Sequence, residues 1–314
     1  MKCNYKILFV ITLLILIIFI TFSYYKIKFI ENFEDKFDDY EKYDEIYDEE
    51  FINLYEIIYR DFSDIDFDTK IVYSKVVDNI KNKDNINFLV CGSGIGKLCK
   101  KIKEKYNVIG VDISENMLKK SQTLYPNIKF VRGNIIKNNI FSKNQFSHIY
   151  IDERTLYYNK TESIDKIIKN IYGWLVDGGF LIVPIYDPLQ LQVASRYYSS
   201  NYMDDKGNYH GFTYLNDFSH DCYYIKDETD ASNEIFYYYD KIVFDTGHKR
   251  IKKTTFYIPS NEKIYDIIIN NGFDIFYIEK IRTQIVGGYE LAIFRKKKQI
   301  ISVDELEKKI KEKK

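Results

Sequence analysis

Phe88-Leu-Val-Cys-Gly-Ser-Gly-Ile-Gly-Lys-Leu98 is the stretch on which the reading of this chain turns. An apolar run enters three glycines, Gly92, Gly94 and Gly96, and leaves them as a helix-compatible sequence. Glycines allow a tight turn and let a ligand approach the backbone closely. The start of the following helix offers unpaired N–H groups to a polar or anionic ligand. A phosphate-binding loop of the GxxxxGK[ST] type does not fit, because Cys91 stands at its first glycine and Leu98 at its hydroxyl. A dinucleotide turn, GxGxxG, does not fit either, because the third glycine comes one position early.

Working outward, Val108-Ile-Gly-Val-Asp112 reads as a second strand ending in a carboxylate. An acid at that place can accept two hydrogen bonds from a ribose diol, and it or Ser114 can also cap the next helix. Strand-like and helix-like pieces alternate on both sides. Ile86–Val90, Val108–Val111, Ile128–Arg132, Phe146–Ile151 and Phe180–Ile185 read as strands, with helices over Glu115–Tyr125 and Glu162–Leu175. This alternation predicts βαβ units and a mostly parallel sheet. Residues 186–250 break the rhythm with Tyr-rich polar sequence and strand-like pieces near Ile235–Tyr239 and Thr254–Ile258. The rhythm resumes with a helix at Asn261–Asn270 and strands at Phe273–Ile281 and Tyr289–Phe294.

In their order these motifs resemble class I S-adenosylmethionine-dependent methyltransferases. The residues that carry the resemblance are Gly92-Ser-Gly-Ile-Gly96, Val111-Asp-Ile-Ser-Glu-Asn-Met-Leu118, Pro126 through Phe130-Val131 to Gly133-Asn134, and Trp174-Leu175 with Gly178-Gly179. Asn271-Gly-Phe273 with the strand ending at Arg295-Lys296 is similar to that family's closing helix and strand pair. The resemblance implies a Rossmann-like α/β fold, a seven-stranded mostly parallel sheet with helices on both faces. It implies S-adenosyl-L-methionine as cofactor. Gly92, Ser93, Gly94 and Gly96 would lie along its methionine part, and Asp112 would hold the ribose. Ile113 and Met117 would pack on the adenine, with Gly133 and Asn134 beside the adenine amino group. Asp152 and Tyr157 are the candidate catalytic residues, with Glu153 and Tyr158 adjoining. A Tyr-rich helix before the first strand resembles members that fold such a helix over the cofactor. Val90, Asn134 and Ser147 stand where the family often has acids, so a binding or scaffold protein without catalysis is the alternative reading. A nicotinamide-dependent oxidoreductase fits the glycine spacing less well.

Residues 7–22, ILFVITLLILIIFITF, carry no charge and are followed by Tyr24, Tyr25, Lys26 and Lys28. With its flanks the run just reaches the length of a membrane-crossing helix, and the tyrosines and lysines suit the headgroup level. No small-residue cleavage site follows. An uncleaved single-pass anchor is expected, with the catalytic domain facing the cytosol, where the cofactor is made. On this reading Asn159-Lys-Thr161 is a chance sequon. The expected organisation is an anchor at 1–30, an acidic linker with N-terminal helices at 31–83 and a cofactor-binding core at 84–185. A substrate cap at 186–250 follows, then the rest of the core at 251–296 and a basic helical tail at 297–314. Forty-six basic and 46 acidic residues cancel, so nucleic acid is not indicated as a partner. The acceptor would be a small molecule, a lipid or a membrane-associated protein. Cys3, Cys91, Cys99 and Cys222 show neither zinc-ligand nor disulfide spacing.

Overall fold

The computed structural model describes residues 45–58, 63–78, 80, 85–186, 200–203, 209–215, 217–232, 234–282 and 288–298. The apolar run 7–22, most of the acidic linker and the tail from 299 onward lie outside them. Among the described residues no helix is long and apolar enough to cross a membrane.

Two helices lead in, α1 (Glu49–Ile58) and α2 (Ser63–Val72), the latter continued by a π turn at Tyr73–Val77. The core then alternates: β1 (Asn87–Cys91), α3 (Lys97–Lys103), β2 (Asn107–Asp112), α4 (Glu115–Leu124), β3 (Lys129–Arg132), β4 (Phe146–Ile151), α5 (Thr161–Trp174) and β5 (Leu175–Tyr186). It closes with α6 (Asn261–Asn270), β11 (Phe273–Arg282) and β12 (Gly288–Lys296). The seven strands lie in the order β11-β12-β5-β4-β1-β2-β3. All neighbours are parallel except β12, which runs antiparallel to β5 and β11.

The central strands are apolar along their length because both faces are covered. Alternate residues of β1 serve opposite layers. Leu89 and Cys91 pack on the side of α5, and Phe88 and Val90 on the side of α2 and α3. Helix α5 buries Ile164, Ile167, Ile168, Ile171 and Trp174, the three-and-four spacing of one helical face. Each such side chain stabilises the fold by roughly 1.5–3 kcal/mol. His148 belongs to this packing. Its ring stacks between Phe88 at 4.7 Å and Phe180 at 5.5 Å, Nε2 lies 3.2 Å from the Val76 carbonyl, and burial pushes its pKa down to about 4. Ser147 lies within β4, and its hydroxyl accepts from Asn87 N at 2.9 Å.

The insertion forms a second, antiparallel sheet: β6 (Ser200–Met203), β7 (Tyr209–Leu215), β8 (Phe218–Lys226), β9 (Ile235–Phe244) and β10 (Lys249–Tyr257). It runs past the boundary at residue 250 drawn from sequence. The whole of Lys249–Tyr257 pairs with Ile235–Phe244 as a hairpin and belongs to the cap rather than the core. On β8 and β9 buried and half-buried residues alternate, the mark of a sheet with one covered face. The covered face meets the segment after β4, with Tyr224 and Tyr238 beside Arg154 and Phe256 against Tyr158.

Asp68 of α2 is buried and ties this helix to the sheet, accepting from Tyr150 Oη at 3.0 Å and Tyr289 Oη at 2.8 Å. Burial pushes its carboxyl up to about 6, against the two hydroxyl donors that hold it down. The folded state therefore holds this proton more tightly than the unfolded chain does. The stabilisation is complete below the unfolded value and is lost as pH rises through about 6. Relative to wild type, Asp68→Asn should gain roughly 3 kcal/mol between about pH 4 and pH 7, read by denaturant unfolding at a series of pH values. A constant difference between the two proteins across that range would exclude the linkage.

Candidate functional site

The glycine turn is built around two carbonyl and carboxylate acceptors. Gly92 N and Ser93 N both donate to the Val111 carbonyl, at 2.8 and 3.0 Å. Asp112 Oδ2 accepts from Gly94 N at 2.8 Å, and Asp112 Oδ1 from Ser114 N at 2.9 Å. Ser114 caps α4 by accepting from Met117 N at 3.3 Å. Gly92 has φ +71°, and a Cβ there would lie 1.7 Å from Thr155 Oγ1. Gly96 has φ +86°, and a Cβ there would meet the Phe130 ring at 2.7 Å. Gly133 N donates to the Asp112 carbonyl at 2.9 Å, and Asn134 Oδ1 accepts from Ile136 N at 3.0 Å.

A cavity of about 170 Å³ brings together Gly92, Ser93, Gly94, Asp112, Ile113, Met117, Gly133, Asn134 and Asp152. Gly96 does not line it; as the residue before α3 it gives close packing against Phe130. Tyr157 does not line it either. Thr155–Tyr158 is a 3-10 turn, in which neighbouring side chains point about a third of a turn apart. Tyr157 is thereby buried, its hydroxyl accepting from Tyr186 N at 2.9 Å, while Tyr158 faces the cavity. The catalytic expectation for Tyr157 is corrected accordingly.

The far wall comes from α1 and the cap. Tyr47 bonds through its hydroxyl to Tyr158, and its carbonyl accepts from Asn116 Nδ2 at 3.0 Å. Arg250 donates to Asp48 at 3.1 Å and to the Ile46 carbonyl at 3.2 Å; Lys252 donates to the Glu45 carbonyl at 3.0 Å. Helix α1 is thus held between the core and the cap, over the cavity. The floor is Asp152-Glu153-Arg154, just beyond β4. Burial, then the neighbouring charge of Glu153, raises the Asp152 carboxyl well above the ordinary range. Glu153 also lies above its ordinary value through burial, and its φ of +40° is a left-handed conformation that costs a non-glycine residue about 1–2 kcal/mol. Asn159, the sequon residue, lines the same cavity and donates to the Thr155 carbonyl at 3.1 Å.

Residues 88–179 match a family model described as a methyltransferase domain. Phosphoethanolamine N-methyltransferase of Plasmodium falciparum is 30% identical over 116 residues, which is 36% of this chain and 43% of that protein. The chain therefore spans less than half of this curated relative. A S-adenosylmethionine-dependent methyltransferase from Clostridium acetobutylicum superposes with a TM-score of 0.55 at 16% identity, over 83% of this chain and all of the other. A S-adenosylmethionine-bound amino pentose methyltransferase from Micromonospora echinaspora does so with a TM-score of 0.56 at 12% identity, over 77% of this chain and 96% of that one. The chain has the class I S-adenosylmethionine-dependent methyltransferase fold.

Within this methyltransferase fold the cavity fits the cofactor in two respects. Ser93 Oγ is buried beside it with no hydrogen-bond partner among the described residues. The backbone at Gly94 faces open space, where a Cβ would meet nothing within 4 Å. Val90 is wholly buried in the apolar layer that also holds Leu98, Ile102 and Tyr150, and does not line the cavity. Arg154, Tyr238, Asp240 and Arg250 line it without any motif to announce them. Tyr47 and Phe51, which also line it, had a sequence signal, their place in the Tyr-rich helical pattern before the first strand.

The glycines should respond unequally to substitution. Gly92→Ala must displace Thr155 and should destabilise the fold by several kcal/mol and abolish cofactor binding, whereas Gly94→Ala should cost only about 1–2 kcal/mol of backbone strain. Thermal melts of the two variants would decide; equal losses would contradict the packing at Thr155.

Proposed function

We propose that this chain transfers a methyl group from S-adenosylmethionine to an amine, and that residues 7–22 hold it at a membrane. The observation that carries the reading is one continuous cavity from the Gly92–Gly94 turn and Asp112 to the carboxylates of Asp152 and Glu153. Backbone N–H groups of the turn and the Ser93 hydroxyl would hold the cofactor's methionine part. Asp112 would hold the ribose, and Ile113, Met117 and Asn134 the adenine. When bound, S-adenosylmethionine supplies a methyl group made electrophilic by its sulfonium, so the protein need only align the acceptor and exclude water.

An amine accepts a methyl group through its nitrogen lone pair and must first lose a proton. Ionised, Asp152 or Glu153 attracts an ammonium, and a carboxylate with a raised pKa takes up the proton more readily than an ordinary one. Tyr47, Tyr158, Tyr238 and Phe256 line the space around them, and aromatic faces favour a cation. Two of the similar proteins named above, the phosphoethanolamine N-methyltransferase and the amino pentose methyltransferase, point the same way. The apolar run and its Lys2, Lys6, Lys26 and Lys28 flanks support a single-pass anchor; the cytosolic origin of S-adenosylmethionine supports a domain in the cytosol. The cavity position of Asn159 supports reading its sequon as unused, since a glycan there would fill the site.

Calorimetry of the full-length chain in detergent tests the first step. S-adenosylmethionine should bind, and Asp112→Asn should bind at least about tenfold more weakly. Radiolabelled methyl transfer to a panel of amines tests the second. Binding without transfer to any amine would favour the non-catalytic alternative, and no binding by a folded protein would refute the cofactor assignment.

A further inference from the structure

Glu153 and Arg154 are adjacent opposite charges on the cavity floor, and neither side chain makes a hydrogen bond or ion pair among the described residues. Both are half-buried. Of the other cations lining the cavity, Lys97 lies near the charge of Glu153, and Arg250 and Lys252 of the cap are committed to Asp48 and to the carbonyls of residues 45 and 46. Among the described residues Arg154 is held to no carboxylate or carbonyl in that way, and only the neighbouring charge of Glu153 faces it. Its guanidinium sits 5.5 Å from the Tyr224 ring and 6.0 Å from the Tyr238 ring, on the covered face of the cap sheet. Aromatic rings hold the guanidinium plane in position yet accept none of its five N–H donors in the way an oxyanion does. A half-buried arginine fixed between rings, with its donors unused, is an anion receptor with its orientation already set.

We propose that Arg154 is the seat for an anionic group on the methyl acceptor, so that the acceptor is a compact zwitterion, an amine carrying a phosphate or carboxylate. The anion forks onto the Arg154 guanidinium against Tyr224 and Tyr238, and the amine turns toward Asp152 and Glu153. Glu153 and Arg154 line the cavity from successive positions, each within reach of the other's charge. This proposal rests on the amine reading above; the anion seat can be measured separately from it.

The test compares phosphoethanolamine, β-alanine and ethanolamine, which share an amine two carbons from a phosphate, a carboxylate or a neutral hydroxyl. The full-length protein is used with Arg154→Met and Arg154→Lys. Calorimetry without cofactor reads the seat, with inorganic phosphate as the simplest probe. Methyl transfer reads the acceptor. Wild type should prefer an anionic acceptor to ethanolamine by roughly 100-fold in kcat/KM, the value of two charge-assisted hydrogen bonds. Phosphoethanolamine ahead of β-alanine marks a phosphate source, and the reverse order a carboxylate. Arg154→Met should remove that preference, the loss falling on KM for the anionic acceptors, and Arg154→Lys should fall between. Equal loss on all three acceptors would make Arg154 merely structural and overturn the proposal. So would phosphate and phosphoethanolamine binding as tightly to Arg154→Met as to wild type. Anion binding through Arg154 with no methylation of any amine would keep the seat and remove the amine reading instead.

Discussion

The carboxylate of Asp112 is the hinge of this structure. One oxygen takes the N–H of Gly94 and the other the N–H of Ser114, so a single side chain ties the glycine turn after β1 to the start of the helix after β2. Its backbone carbonyl takes Gly133 N after β3. Three loops at the same sheet edge are thereby set relative to one another before any ligand is considered. The turn itself tolerates this because Gly92 and Gly96 occupy left-handed conformations with Thr155 and Phe130 filling the space a side chain would need.

Above that edge, charge does the closing. Asp48 at the head of α1 accepts from its own Phe51 N at 2.8 Å and from Arg250 of the cap, so the helix cap and the interdomain contact are one group. Arg250 also lies over the Phe51 ring at 4.4 Å. Glu50 adds a contact to His248 at 3.2 Å. The exposed Glu50–His248 pair contributes little singly, whereas Arg250 is buried. Here several such contacts converge on one helix whose apolar side, through Ile52, joins Ile95 and Met117 of the core. The lid therefore holds by apolar burial and is oriented by charge. The cap cations spent on that task are distinct from the floor charges just beyond β4, Glu153 and Arg154.

The cap sheet shows why composition misleads. Thirty tyrosines in the chain look like coding bias, yet those on β8 and β9 divide by parity. Tyr224 and Tyr238 turn inward and cage Arg154, whereas Tyr223 and Tyr239 stack at 5.0 Å on the other face. A strand alternates its faces with a period of two, so the same residue type serves the site or the surface according to register alone. The buried Asp240, bonded to His220 at 2.9 Å, likewise reaches the cavity only because of the β9 register.

The sequence by itself determined the parallel core and its cofactor edge. Both rest on local signals: glycines where the backbone must turn left-handed, an acid at a strand end, and apolar runs with the period of strands or helices. Those signals marked the glycine turn and Asp112, the resemblance added Ser93, Ile113, Met117, Gly133 and Asn134, and the chain's geometry brings all of these except Gly96 into one cavity. Tyr157 and Gly96 failed as cavity residues because a 3-10 turn and a helix start send neighbours to different sides, an angle that residue identity does not encode. The cap boundary, the Arg154 cage and the hold of the cap on α1 were decided only by the tertiary structure. They depend on antiparallel register and on contacts between segments some 200 residues apart, such as Asp48 with Arg250. Nothing in the local sequence of either partner carries that pairing; it exists only once the core has folded and brought the two surfaces together.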